Sequence, residues 1–400
     1  MPVADEPDVC EPSSLILKGA QLRQFAEDGV LVVPRAQLDL SESAVDAFRA
    51  RLAAVLKERV GCDVARLDET AAGLARLSST NGAGGILDIF YEDFQLSLAE
   101  HPAIAMVVSD LWVHMMDTFV DSHVGPFNPR TPLASVDRLC FRVPDEVSSK
   151  FGRQGGSGAK GSGKGEGEGK GKGKRSAGLQ RHLAPHLDCC PSTTSSSSST
   201  TTSSSSSSGQ KWRPVQCFLA LSDCLEAQRG GLEVCPGLHR EFRAWALRRA
   251  PSASTGRPAP CVGEFTPMRP VEDADVFERM VHVPCRAGDL VLWDNRIPHA
   301  NSRCNAGSLP RLAVYLKFLP AVEVNRRYVR DQLPCLRALR PPSDFWIHPT
   351  APTPAALEEA ETEAKAALTY AFGPLGRRLF GLEPWREGES VADFEREAAY

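Results

Sequence analysis

The chain has 400 residues, 46 Lys+Arg against 50 Asp+Glu, and a formal net charge of −4. Hydrophobic residues at 42% and charged residues at 24% are ordinary for a folded protein and exclude wholesale disorder. The near-neutral balance gives no electrostatic reason to expect nucleic acid or an anionic membrane as partner, and no apolar run approaches the ~20 residues that span a bilayer.

The first residues, MPVADEPDVCEPSS, are acidic and lack a basic-then-apolar leader, which argues against a secretory signal. Residues 20–28 carry an amphipathic helical pattern closed by Gly29, and 30–33 read as an apolar strand. Ser41 is placed to cap a helix over about 42–58, with Val45, Phe48, Leu52 and Val55 at helical spacing. A longer helical pattern covers 98–119, with Leu111, Met115 and Phe119 on one side. Then the period changes. Short apolar runs at 139–143, 215–221, 232–234, 281–284, 290–293 and 312–318 are separated by turn residues and read as strands. They do not alternate with helices, which disfavours a doubly wound parallel sheet. The expected fold is mainly β with flanking α-helices: a double-stranded β-helix (jelly roll), with an N-terminal helical part (about 15–125) packed on the sheet. A further helix with a charged outer face is expected over 354–369, within a C-terminal extension at 351–400.

Two low-complexity tracts interrupt this pattern. Residues 151–179 are Gly/Lys-rich and hold 12 of the 32 glycines, and 191–210 are nearly pure Ser/Thr. Neither can bury enough apolar surface to offset its ordering entropy, so both read as disordered insertions within a single domain spanning 1–400. Gly156-x-Gly158-x-x-Gly161 formally matches a dinucleotide fingerprint, but no strand precedes it and no helix follows. Gly158 to Lys164 resembles a P-loop except that Gly165 replaces the required Ser or Thr. The twelve cysteines are scattered and include no Cys-x-x-Cys pair, so a zinc knuckle is not expected and reduced thiols are. An intracellular, cytoplasmic protein is the plain expectation.

Three places combine ionisable residues with strand ends. In His186-Leu187-Asp188 an extended backbone puts the imidazole and the carboxylate on one face, where both can reach one metal ion. Taken alone, this pair fits equally well as a surface histidine near a turn aspartate. In GDLVLWDNRIPH (288–299) a turn leads into an apolar strand and then a polar bend that delivers His299. Arg311 opens the run RLAVYLKFLP, sharing a face with Ala313, Tyr315 and Lys317 while Leu312, Val314, Leu316 and Phe318 share the other. Two readings of Arg311 stand here: a buried cation that must meet an anion, or an exposed strand-start residue, which Lys317 on the same face keeps open. Two neutral imidazoles and one carboxylate occupy one face of an octahedral ferrous ion and leave three positions open, two for a bidentate 2-oxo acid and one for dioxygen. A forked guanidinium then suits the far carboxylate of that acid. Competing sets are weaker. His239-Arg240-Glu241 follows a turn and precedes a helix-like stretch, adjacent Cys189 and Cys190 suit small thiols better than ligands, and His182 lies on a segment broken by Pro185.

Four stretches together resemble the phytanoyl-CoA dioxygenase-like branch of the iron(II)/2-oxoglutarate-dependent oxygenases: LRQFAEDGVLVVP (22–34), HLAPHLDCCP (182–191), VQCFLALSDCLEAQRGGLEVCPGLHREF (215–242) and GDLVLWDNRIPHANSRCNAGSLPRLAVYLKFLP (288–320). The chain departs from that pattern in the long insertions on both sides of His186-x-Asp188, a change that costs little in loop-closure entropy. The resemblance implies His186, Asp188 and His299 as iron ligands and Arg311 as the 2-oxoglutarate carboxylate partner, with Asn301, Gln216 and Arg142 in the same pocket. It implies iron(II), 2-oxoglutarate and dioxygen, with ascorbate as accessory reductant. The implied reaction is hydroxylation of a small-molecule or lipid-like substrate with succinate and CO2 as co-products. Asp188 favours hydroxylation over the halogenation of relatives that lack this carboxylate. No protein partner is implied, and the final residues EREAAY carry no peroxisomal address. Two other readings remain open: a catalytically silent jelly-roll scaffold, and a cupin-like metalloenzyme that uses no 2-oxo acid.

Overall fold

The computed structural model describes residues 15–116, 127–151, 178–189, 191, 211–249, 265–342, 344 and 368–395. Nearly all of both low-complexity tracts, the end of the 98–119 helical pattern and residues 354–367 of the helix expected over 354–369 lie outside the described residues, while 368 and 369 are not helical.

Helix α1 (Gly19–Asp28) ends at Gly29, whose φ of 73° is open to a residue without Cβ and turns the chain directly into strand β1 (Val30–Val33). Helix α2 (Glu42–Val60) is capped as its sequence predicts: the Ser41 hydroxyl accepts from the Ala44 N–H at 3.1 Å. The predicted 98–119 helix is divided. A short helix over Asp93–Ala99 stops before Pro102, and α3 (Pro102–His114) starts with that proline at its first position. Proline cannot donate to a preceding turn and disfavours a helical residue before it, so the break falls there.

The later chain supplies β2 (Ile86–Leu87), β3 (Leu133–Ser135), β4 (Leu139–Arg142), β5 (Leu183–Leu187), β6 (Val215–Ala220), β7 (Leu232–Val234), β8 (Thr266–Pro267), β9 (Val281–His282), β10 (Leu290–Asp294), β11 (His299–Asn301) and β12 (Arg311–Leu319). They form a seven-stranded sheet in the order β1-β10-β6-β12-β4-β2, with β3 also on β12, and a five-stranded sheet in the order β8-β5-β11-β7-β9. All the strand pairings are antiparallel. The architecture is therefore mixed helix and antiparallel sheet, more helical than the mainly-β expectation, and neither sheet closes on itself among the described residues. Among those residues no helix is long and apolar enough to cross a membrane, and the cysteines form no disulfide.

The larger sheet is covered on both faces, and strand parity sorts its side chains. Leu31, Leu219, Leu292, Leu312, Val314 and Phe318 join one core with α2 and α3 through Leu52, Leu56, Ile104 and Val108. Their sequence neighbours Val30, Phe218, Val291, Trp293 and Ala313 join a second core with Leu187, Leu232 and Val234 of the smaller sheet. Burial on both faces explains why these strands read as unbroken apolar runs instead of alternating ones. Leu292 is fully buried at the centre of the first core. Leu292→Ala is expected to lower the unfolding free energy by about 3 kcal/mol in urea titrations, whereas Leu309→Ala, at a residue 76% exposed, stays within about 0.5 kcal/mol.

Candidate metal centre

Strands β5 and β11 pair so that His186 and His299 stand directly opposite each other. Opposed residues on adjacent strands share a face, so register alone brings the rings together, with centroids 4.4 Å apart. Asp188 lies one residue past the end of β5 and two past His186, on the same face. Its Oδ1 is 3.6 Å from His186 Nε2 and its Oδ2 is 3.7 Å from His299 Nε2. These three residues offer ligand atoms that all lie within 4.8 Å of one another, and they form the single such group of His, Cys, Asp and Glu among the described residues.

The backbone fixes which nitrogen each ring presents. His186 Nδ1 lies 2.9 Å from the Ala184 carbonyl and His299 Nδ1 lies 3.3 Å from the Ile297 carbonyl. An Nδ1–H donated to a carbonyl leaves the Nε2 lone pair free, and both Nε2 atoms face Asp188. Burial, reinforced by the neighbouring His299, lowers the His186 pKa to about 4, so that imidazole stays neutral and able to ligate at ordinary pH. Burial works against ionisation of Asp188, but its polar surroundings, with the Arg213 guanidinium as the permanent cation among them, outweigh it and hold the carboxyl well below the usual carboxylate range. Phe265 packs on His186 with ring centroids 4.9 Å apart, and Trp293 lies 5.2 Å from His299. The bend that delivers His299 is locked by Asp294, which accepts from the Arg296 backbone N–H at 2.8 Å and from its guanidinium at 2.9 and 2.7 Å.

Arg311 enters the same inter-sheet space from β12. It is 3% exposed and Lys317 is 2% exposed, which removes the exposed strand-start reading. Its Nη1 donates to Asn301 Oδ1 at 3.3 Å and to the Tyr315 hydroxyl at 3.5 Å, and its guanidinium lies 4.8 Å above the Phe218 ring. The other terminal nitrogen, Nη2, is buried with no hydrogen-bond partner. Asn301, two residues after His299 on β11, also donates to the Gly84 carbonyl at 2.9 Å, tying the arginine pocket to the strand that carries His299. Gly84 itself has φ 64°, and a Cβ there would sit 2.7 Å from Asn301 Nδ2, so only glycine allows that approach.

Gln216 and Arg142 are placed differently. Gln216 donates to Asn295, whose amide in turn donates to the Asp188 carbonyl at 3.2 Å, so it reaches the metal ligands through an intermediary. Arg142 is opposite Arg311 in register, and its guanidinium is engaged by the Arg181 carbonyl at 2.6 Å, Asp145 at 3.0 Å and the Arg303 carbonyl at 3.4 Å. His239 points elsewhere, its Nε2 lying 3.0 Å from the Ala26 carbonyl, and Cys189 is a buried thiol in no disulfide, its Sγ 3.5 Å from the Asn295 carbonyl. Cys190 lies outside the described residues. Sequence reasoning gave no role to Arg213, Asn295, Tyr315 or Gly84. Tyr315 shared the parity of Arg311, and the cluster Asn81-Gly82-Ala83-Gly84-Gly85 marked a tight turn; Arg213, just after the Ser/Thr tract, carried no local signal.

The Gig2-like family matches residues 16–371 of this sequence. The chain belongs to that family. The phytanoyl-CoA dioxygenase-like assignment is thereby corrected at family level. Among solved structures, the Gig2-like chain is similar to GlcNAc Inducible Gene 2 (GIG2, DUF1479) from Candida albicans, with a TM-score of 0.61 at 14% identity, covering 97% of this chain and 81% of that one. It is also similar to the protein JW0805 from Escherichia coli, with a TM-score of 0.58 at 16% identity, covering 91% and 82%. At these identities the likeness establishes a shared fold. No curated protein matches the sequence.

The neutral His186 has a consequence for stability without metal. An unfolded histidine takes up its proton from about pH 6.5 downward, whereas folded His186 resists protonation until about pH 4. Its contribution is therefore fully present above about pH 6.5 and is lost as pH falls towards 4. Urea midpoints of the metal-free protein should fall across that window, and His186→Gln should flatten the fall.

Proposed function

We propose that this Gig2-like protein is an iron(II)- and 2-oxoglutarate-dependent dioxygenase that hydroxylates a small-molecule or lipid-like substrate, releasing succinate and CO2. In this reading the two sheets belong to a double-stranded β-helix, and 151–179 and 191–210 are insertions into one catalytic domain. The observation that carries it is the convergence of His186, Asp188 and His299 with both Nε2 lone pairs facing the carboxylate. Two imidazole nitrogens and one carboxylate oxygen suit a ferrous ion that must keep open positions, and bound there it supplies the activation of dioxygen.

The chain's own residues supply the rest. Arg311 is a buried cation with an unpartnered Nη2 and no carboxylate paired to it among the described residues. It fits a co-substrate carboxylate through two charge-assisted hydrogen bonds. Asn301 and Tyr315 hold that guanidinium in place, Phe218 packs beneath it, and Trp293 with Phe218 excludes water from the inter-sheet space. This unanswered charge also weighs against a cupin-like enzyme without a 2-oxo acid, which has no use for it.

The test is anaerobic titration of the iron(II)-loaded protein with 2-oxoglutarate, followed by the visible charge-transfer band of a chelated 2-oxo acid. The band should form in the wild type and be absent in His186→Ala. Losing a charge-assisted pair costs about 2–3 kcal/mol, so Arg311→Met should weaken 2-oxoglutarate binding roughly 30- to 150-fold. A wild-type protein that takes up iron(II) but shows no 2-oxoglutarate response would sink the proposal.

A further inference from the structure

We infer that Arg213 is the positioning residue that limits Asp188 to one-oxygen metal ligation, an inference that rests on the metal-centre reading above. Asp188 stands beyond the last residue of β5, where no ladder hydrogen bond restrains it. Two other contacts do. Its carbonyl accepts from Asn295 Nδ2 at 3.2 Å, and its carboxylate Oδ2 accepts from Arg213 Nη2 at 3.3 Å. Apart from the two imidazoles, Arg213 is the one group seen to engage that carboxylate among the described residues.

Arg213 is itself braced. Its Nη1 lies 3.4 Å from Asp137 Oδ2, and Asp137 lies 3.9 Å from the Lys317 ammonium on β12. The Asp137 Oδ1 accepts from the Arg138 backbone N–H at 2.8 Å, so this second carboxylate cannot turn away. Charges thus alternate from the metal triad to the larger sheet: carboxylate, guanidinium, carboxylate, ammonium. Arg213 is 12% exposed and Asp137 13%, so the pairs are weakly screened. An unrestrained carboxylate can turn both oxygens onto one metal ion and occupy two positions. A guanidinium fixed against one oxygen reduces its basicity and holds it off, which preserves the positions that a two-toothed co-substrate and dioxygen need.

Cobalt(II) serves as the probe, because its affinity is read by calorimetry and its coordination by its visible spectrum, without turnover. Arg213→Met frees Asp188 to turn both oxygens onto the ion, so cobalt(II) affinity is expected to shift about 10- to 100-fold and the spectrum to change. Arg213→Lys, which keeps a cation between the two carboxylates, should retain the fold and give intermediate affinity. Asp137→Asn should shift affinity and spectrum in the direction of Arg213→Met, by less. Wild-type affinity and an unchanged spectrum in Arg213→Met, or in Arg213→Lys should Arg213→Met fail to fold, overturn the inference. Failure of the wild type to bind cobalt(II) at all sinks the metal-centre reading instead, so the two failures are distinguishable.

Discussion

Charge buried between two sheets has to be answered by opposite charge or by hydrogen bonds, and that requirement organises this molecule. The seven-stranded sheet has one face sealed against helices by leucine, valine and phenylalanine. Its other face carries Arg311, Lys317, Gln216 and Trp293 towards the five-stranded sheet, all at most 4% exposed. Lys317 is met by Asp137 and Tyr328, Gln216 by Asn295, and Arg311 by Asn301 and Tyr315. On this face Arg311 Nη2 and Trp293 Nε1 lack a hydrogen-bond partner, and of the two only Arg311 carries charge, so a buried guanidinium with an open donor points to an anionic ligand.

The same logic makes the histidine pair precise. A metal centre needs lone pairs aimed at one point, and here neither ring depends on another side chain for its orientation. Each Nδ1 faces the carbonyl two residues back in the chain, so backbone geometry aims Nε2. The opposed register of His186 and His299 then sets the spacing. Asp188, beyond the strand end, lacks that backbone support and is held by Asn295 and Arg213. Rigid strands thus carry two of the ligands, while side chains recruited from other elements hold the third.

Much of this was legible in the sequence. The limits of β1 and β7, the Ser41 cap and the two-faced parity of β12 all follow from local pattern, because each depends on residues within a few positions. The candidate ligands were legible too, since His-x-Asp on an extended segment needs only the period of a strand. The family was assigned too finely: the motifs resemble phytanoyl-CoA dioxygenase-like proteins, while the family that matches is Gig2-like. Short motifs around a metal report chemistry, and that chemistry is shared more widely than descent. The single helix expected over 98–119 breaks at Pro102, where an apolar periodicity outweighed a local backbone rule.

The sequence by itself determined which residues could converge and on which face of their strands they stand, because the two-residue period of an extended chain is local. Only the tertiary structure decided that Arg311 and Lys317 are buried, that Arg142 is engaged by Asp145 and two carbonyls, and that Arg213 reaches Asp188. Burial and ion pairing arise from elements far apart in the chain. Asp137 and Asp188 meet at Arg213 only when the two sheets pack, and no spacing within one strand encodes that meeting.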